Sequence, residues 1–207
     1  MRKCAILLSL VLAVSAAWAL EGTALVGANS QSWDDGNGYK GTGSGAHFGI
    51  LGSIGITPSC LPVYVGVETG FLSQSARYSW DTGFGGIQFR LKYGNLVIPV
   101  LLKGTFKPTG KIHIGAGLGP SFIIHSSGAM GFGGQDWEIL PDIPADDLKT
   151  DVGFQIKGDI GIKLIPWLWL KPGLTLQINS NPYSPVTHEK QGFETAWLFS
   201  IGLAIKP

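Results

Sequence analysis

Cysteine is nearly absent from this chain: there are 2 in 207 residues, and Cys4 falls inside an N-terminal apolar run. With that run removed Cys60 has no partner, so no internal disulfide braces the fold in any compartment. Charge is scarce as well. Asp, Glu, Lys and Arg make up 14% of the residues, against a usual share of about 25%. The two signs nearly cancel, to a formal net charge of +1, and no basic patch marks a nucleic-acid partner. Past the N-terminus there is no apolar run of the roughly 18 residues that a membrane helix needs. Glycine, in contrast, is abundant at 31 residues. The glycines show no collagen period and sit inside strand-like patterns, where a small barrel needs bends and crowded inward positions.

Arg2 and Lys3 precede an apolar run from Cys4 to Ala17, and Ala17, Trp18 and Ala19 form a small-x-small cleavage pattern. This predicts a secretory signal peptide over 1–19 and a single domain over 20–207.

The most telling stretch of that domain is 152–164. Val152, Phe154, Ile156, Gly158, Ile160, Ile162 and Leu164 alternate with Gly153, Gln155, Lys157, Asp159, Gly161 and Lys163. Alternate side chains of a strand point to opposite faces, so one face is apolar and the other charged over a length suited to a tilted membrane-crossing strand. Similar alternation predicts further strands. Ala46, Phe48, Ile50, Ile54 and Ile56 share a face, as do Val63, Val65, Val67, Thr69 and Phe71. Ile112, Ile114, Ala116, Leu118, Phe122 and Ile124 oppose Lys111, His113 and three glycines, and Leu168 to Ile178 and Phe193 to Ile205 repeat the pattern. A first strand near 23–29 is short and weak in pattern. In the fourth, Ile87, Phe89, Leu91 and Tyr93 alternate with Arg90 and Lys92, then Leu96, Ile98, Val100 and Leu102 continue in the other parity. We read this as a bulge at Gly94 and Asn95 within one strand rather than a hairpin.

The connections alternate in length: long at 30–45, 72–86, 125–149 and 180–191, short at 57–62, 107–110 and 165–167. Short turns on one side and long loops on the other are the pattern of transmembrane barrels. A soluble barrel would carry its apolar face inward and its polar face outward. Here the apolar face is built of large residues and the other of glycine, amides and ions, so in water the apolar face would be one sticky patch. The expected fold is all-β, an eight-stranded antiparallel transmembrane β-barrel of up-and-down topology. The expected location is the outer membrane of a diderm bacterium.

Tyr93, Leu96, Ile98, Pro99, Leu101, Leu102 and Lys103, followed by Gly117, Gly119 and Pro120, form a pattern that resembles the small outer-membrane barrel families of the PorT and OmpW type. In the PorT type, no residues usually stand where Gly94 and Asn95 separate Tyr93 from Leu96. The resemblance implies a membrane barrel but no single role, since these families include secretion or gliding accessories and barrels linked to small hydrophobic solutes.

An eight-stranded interior is wide enough only for its own side chains or one small ligand. Parity puts Glu68, Arg90, Lys92, Lys103, Lys157, Asp159, Lys163, Glu194 and Lys206 inside, which predicts an internal ionic network that fills the lumen. The alternative reading is a narrow channel or conduit for small solutes, whether polar or hydrophobic. His47 and His113 fall inward on different strands without metal-site spacing, and neither a metal nor a cofactor is expected. Ser73, Ser75, His125, Ser126 and His188 supply the residue types of a hydrolase at the loop side, but in no motif, and no enzyme activity is expected. The loop over 128–147 is the most individual segment. Trp137, Ile139, Leu140 and Asp142 there form the candidate site for an extracellular or host-surface partner. Trp197 and Tyr93 read as outward aromatics at the bilayer interface. The expected partners are outer-membrane lipid and such a surface partner, with no nucleic acid, and the expected state is a monomer.

Overall fold

The computed structural model describes residues 20–34, 40–57, 62–81, 88–132, 140–144, 148–180, 182–184, 189–190 and 192–206. The expected signal peptide, Cys60, Ile87 and His188 lie outside them. Eight long strands form the barrel: β1 Leu20–Asp34, β2 Lys40–Gly55, β3 Val63–Asp81, β4 Gln88–Thr109, β5 Ile112–Phe132, β6 Thr150–Ile165, β7 Leu168–Ser180 and β10 Phe193–Ile205. A small hairpin, β8 Tyr183–Ser184 with β9 Glu189–Lys190, lies in the connection between β7 and β10. Each barrel strand pairs antiparallel with its neighbours in sequence. β1 closes the ring on β10, from Gly22 opposite Ile205 to Asp34 opposite Phe193. Closure leaves no edge strand, so every ladder group has a partner strand within the bilayer.

The first strand is a full stave of 15 residues rather than a short one. Its outward residues Ala24, Val26 and Ala28 are mostly small, while Glu21, Thr23, Asn29 and Gln31 are buried. The period of two is present, but the hydrophobic contrast that reveals it in a sequence is low. The long connections are also shorter than expected, because strands occupy much of them. β3, β4 and β5 reach 19, 22 and 21 residues, about twice the 9–11 that a bilayer crossing requires. The barrel therefore stands well above the membrane on the loop side.

β4 is one continuous strand and its ladder to β5 shifts between Gly94 and Asn95, where a bulge is expected, but the extra residue is not in β4. Its buried parity never changes: Phe89, Leu91, Tyr93, Asn95, Val97, Pro99, Leu101, Lys103 and Thr105 all point inward. The shift lies across the ladder in β5, where Gly94 pairs with Ser127 and Asn95 with His125, leaving Ser126 as the extra residue. What switches along β4 is the surrounding medium. Inside the bilayer the outward face meets lipid and is apolar, at Leu96, Ile98, Val100 and Leu102. Above it the outward face is polar, at Arg90 and Lys92, while the inward face becomes apolar. The same reversal runs along β3, from outward Phe71 to inward Leu72, Ala76 and Tyr78.

The exterior is a continuous apolar surface, with Ile50 67%, Phe48 64%, Val26 62% and Ile201 61% exposed. A water-facing barrel does not hold such a surface, whereas lipid requires it. The core has two apolar clusters inside the ring. Leu51, Leu72, Val97 and Ile123 pack in the middle of the lumen. Ala76, Tyr78, Phe89, Leu91, Tyr93 and Ile143 pack at the loop-side mouth.

Candidate functional site

Strand parity brings charged side chains from five strands, and Lys206 from just past a sixth, into the lower half of the lumen. Glu68 on β3 meets Lys103 of β4 at 2.7 Å and Lys157 of β6 at 2.5 Å. Lys103 also reaches Asp159 of β6 at 3.2 Å and Glu21 of β1 at 3.6 Å. Lys171 of β7 joins Glu21 at 2.5 Å and Asp159 at 3.2 Å, and Lys206, just past β10, meets Glu21 at 2.6 Å. All but Lys206 are buried. Three carboxylates and three buried lysines thus cancel charge, and several carry more than one partner, which is the condition under which ions tolerate removal from water. Glycine makes the room: a Cβ at Gly115 would stand 2.7 Å from Asp159 Oδ1.

Below this layer an aromatic and cationic floor lies at the short-turn end. His113 stacks on Trp169 with centroids 4.1 Å apart. Lys206 Nζ lies 3.0 Å from His113 Nδ1 and 4.8 Å from the Trp169 ring, while Lys107 Nζ lies 4.6 Å from the Tyr64 ring. Above the ions, Gln74 and Gln155 both donate to Gln177 Oε1, at 3.3 Å and 2.9 Å. A cavity of about 10 Å³ beside Leu25, His47, Leu101 and Leu198 has room for about one water molecule.

Near the mouth a second polar group forms. His125 Nδ1 lies 2.8 Å from Asn95 Oδ1, and its Nε2 lies 3.0 Å from Asp151 Oδ2. Asn179 Nδ2 contacts Asp151 at 3.4 Å and Glu194 at 3.5 Å, and the Tyr78 hydroxyl donates to Glu194. Over this group the segment 140–144 folds back on β5. Met130 N donates to Pro141 O at 3.0 Å and Ile143 N to Gly128 O at 2.8 Å, framing the bridge between Ala129 and Asp142. Ile143 drops into the mouth cluster. Only glycine at 128 leaves space for it, since a Cβ there would meet Ile143 Cδ1 at 2.8 Å.

Of the residues expected in one lumen network, Glu68, Lys103, Lys157, Asp159 and Lys206 come together. Glu194 joins the separate upper group. Lys163 sits half-buried at the short-turn rim, 5.9 Å from the Trp169 ring. Arg90 and Lys92 are on the outward face of β4, because that strand keeps its parity. Tyr93, expected at the lipid interface, is buried in the mouth, whereas Trp197 is outward at 45% exposure. Glu21 precedes the expected first strand, near 23–29, by two residues, and its parity with Thr23 is the signal that places it inside. In the candidate loop site, Trp137 and Ile139 lie outside the described residues, Leu140 is buried rather than presented, and Asp142 is exposed. His113 stacks on Trp169 while His47 lies apart from it beside the small cavity, its Nδ1 buried without a hydrogen-bond partner, and no metal-holding group occurs among the described residues. Both His125 nitrogens face Asn95 and Asp151, Ser126 Oγ donates to Gly94 O at 2.9 Å, and Ser75 Oγ serves Ala46. No nucleophile and base meet among these.

A closed antiparallel ring, apolar outside and ionic within, is a transmembrane β-barrel. No family model matches the sequence, and no curated protein matches it. Solved structures of similar architecture include Neisserial surface protein A, with 12% identity and a TM-score of 0.46 over 92% of this chain and 97% of that one. Ail of Yersinia pestis, solved with the heparin analogue sucrose octasulfate, gives 11% and 0.44 over 89% and 98%. The outer membrane protease OmpT of Escherichia coli gives 7% and 0.44 over 91% and 97%. The class of this chain rests on its own closed ring and exterior.

Proposed function

We propose that this chain is an integral outer-membrane barrel with a shut lumen, and that its role is structural or exercised at the loop-side surface. The observation carrying this reading is the ionic brace: Glu21, Glu68 and Asp159 join Lys103, Lys157, Lys171 and Lys206 across the ring. The docking of Ile143 in the mouth supports it. The pattern from Tyr93 to Pro120 supports a place among barrels of the PorT and OmpW type. With the interior filled, contacts fall to the raised loop side, where Asp142 is exposed and where Trp137 and Ile139 belong by sequence.

The test is conductance of the refolded protein in planar bilayers, after heat-modifiable migration shows the folded barrel. Silence over a wide voltage range is expected. Discrete openings in the wild type that change with Glu68→Gln would overturn the shut lumen and move the role to transport.

A further inference from the structure

The apolar belt of the exterior ends part-way up β3 and β4. On β4 its outward side chains run from Phe106 to Leu96, and on β3 from Val63 to Phe71. Both strands continue beyond the belt with polar outward side chains. Arg77 of β3 lies directly opposite Lys92 of β4, and Arg90, opposite Ser79, is the diagonal neighbour of Arg77. Arg77 is exposed, and Lys92 and Arg90 are half-buried on the same outward parity. From Leu96 to Lys92 a stave tilted by about 40° rises about 10 Å. The headgroup layer of one leaflet adds roughly 5–8 Å to the hydrocarbon, so the long side chains of this trio reach it.

Ladder formation alone does not favour such a trio. Like charges directly opposite each other destabilise a sheet, and an anion between them removes the repulsion. Both arginines make other interactions as well. The five N–H groups of a guanidinium allow an oxyanion beside those contacts. Hydroxyls surround the cations: Ser73 and Ser75 lie below Arg77 on β3, Ser44 opposes it on β2, and Ser126 and Ser127 are exposed on β5. Among the described outward residues of β1 and β2 beyond the belt, the charged pair Asp34 and Lys40 cancels at 3.0 Å. The uncancelled like-charge contact is therefore on the β3 and β4 face.

We propose that this face docks a phosphorylated saccharide headgroup of an outer-leaflet lipid. Its phosphate sits on Arg77 and Lys92 with Arg90 beside them, and its sugar lies against the flanking serines. Depth and direction select this occupant. The trio points away from the lumen and stands just above lipid-covered strand, so a headgroup whose acyl chains lie along Leu96 and Phe71 meets it without leaving the leaflet. The inference rests on the outer-membrane reading and is independent of the shut lumen; retention of lipid tests the one and conductance the other.

The test is native mass spectrometry of the refolded protein, released from detergent micelles that hold two lipids in equal amounts. One is a diphosphorylated glucosamine-disaccharide lipid and the other is the same lipid stripped of phosphate. The wild type is expected to retain the phosphorylated form about tenfold more at low salt and to lose most of that preference near 0.5 M ammonium acetate, as screening of surface ion contacts requires. Arg77→Gln with Lys92→Gln should retain both forms alike while still showing heat-modifiable migration, and Lys40→Gln or Lys111→Gln should behave as wild type. Equal retention by the wild type would overturn the proposal without recourse to any variant. A preference that survives in the double variant would overturn it too. Phosphatidylglycerol retained as strongly as the phosphorylated saccharide lipid would do the same, leaving charge without headgroup recognition. Adducts of added inorganic phosphate on a wild type with no lipid preference would assign the trio to a soluble anion instead. A chain that never forms a heat-modifiable barrel in the micelle would sink the membrane reading and this inference together.

Discussion

Glu68 stands between Lys103 and Lys157 with 1% of its side chain exposed, so each of its oxygens neutralises an ion that water cannot reach. Glu68→Gln leaves those lysines short of a counter-charge and is expected to cost about 3–5 kcal/mol, read as a lower urea midpoint for unfolding from vesicles. Replacing Glu68 and Lys157 together by methionine removes the pair instead of breaking it. That double variant is expected to be more stable than Glu68→Gln, because Lys103 keeps Glu21 and Asp159. At this scale the sequence was legible wherever a charge faced away from a run of Ile, Val or Phe, as at Lys157 and Asp159. It was silent at Glu21, whose strand offers small residues to lipid and gives the alternation little contrast.

β4 shows how one strand can mislead while keeping perfect geometry. Equating apolar with outward holds only for the part of a stave inside lipid. Above the bilayer the rule reverses, and Phe89, Leu91 and Tyr93 fill the mouth while Arg90 and Lys92 face out. Phe89→Ala is therefore expected to cost about 3–5 kcal/mol and Lys92→Ala less than about 0.5 kcal/mol, by the same unfolding measurement. An equal cost at both sites would return β4 to the expected phase change. The segment 140–144 depends on a neighbouring element in a similar way. Gly128→Val fills the space taken by Ile143 Cδ1 and should release the segment, seen as faster amide exchange at Ile143, with the lower barrel unchanged.

As a whole, the molecule is a ring whose short-turn part is lipid-clad and whose interior is stacked in layers: aromatic floor, ions, aliphatic and amide packing, and an apolar cluster at the mouth. Such a ring, with every strand paired on both sides, unfolds as a unit. It should migrate faster in unheated detergent gels than after boiling, and a single migration state would contradict closure. Lowered stability in Glu68→Gln with bilayers still silent would mean that the brace holds the barrel together and that other layers shut it. Openings appearing only in Glu68→Gln would assign the shutting to the ions themselves.

Period-two alternation, alternating connection lengths and the scarcity of long apolar runs determined by themselves that this chain forms a lipid-facing antiparallel barrel, because backbone pairing and lipid solvation act on every strand alike. Tertiary structure decided which charges meet, which strand carries the bulge and what packs in the mouth. Those outcomes depend on register around the closed ring and on where along each strand lipid gives way to water, and neither is written in the alternation of any single segment.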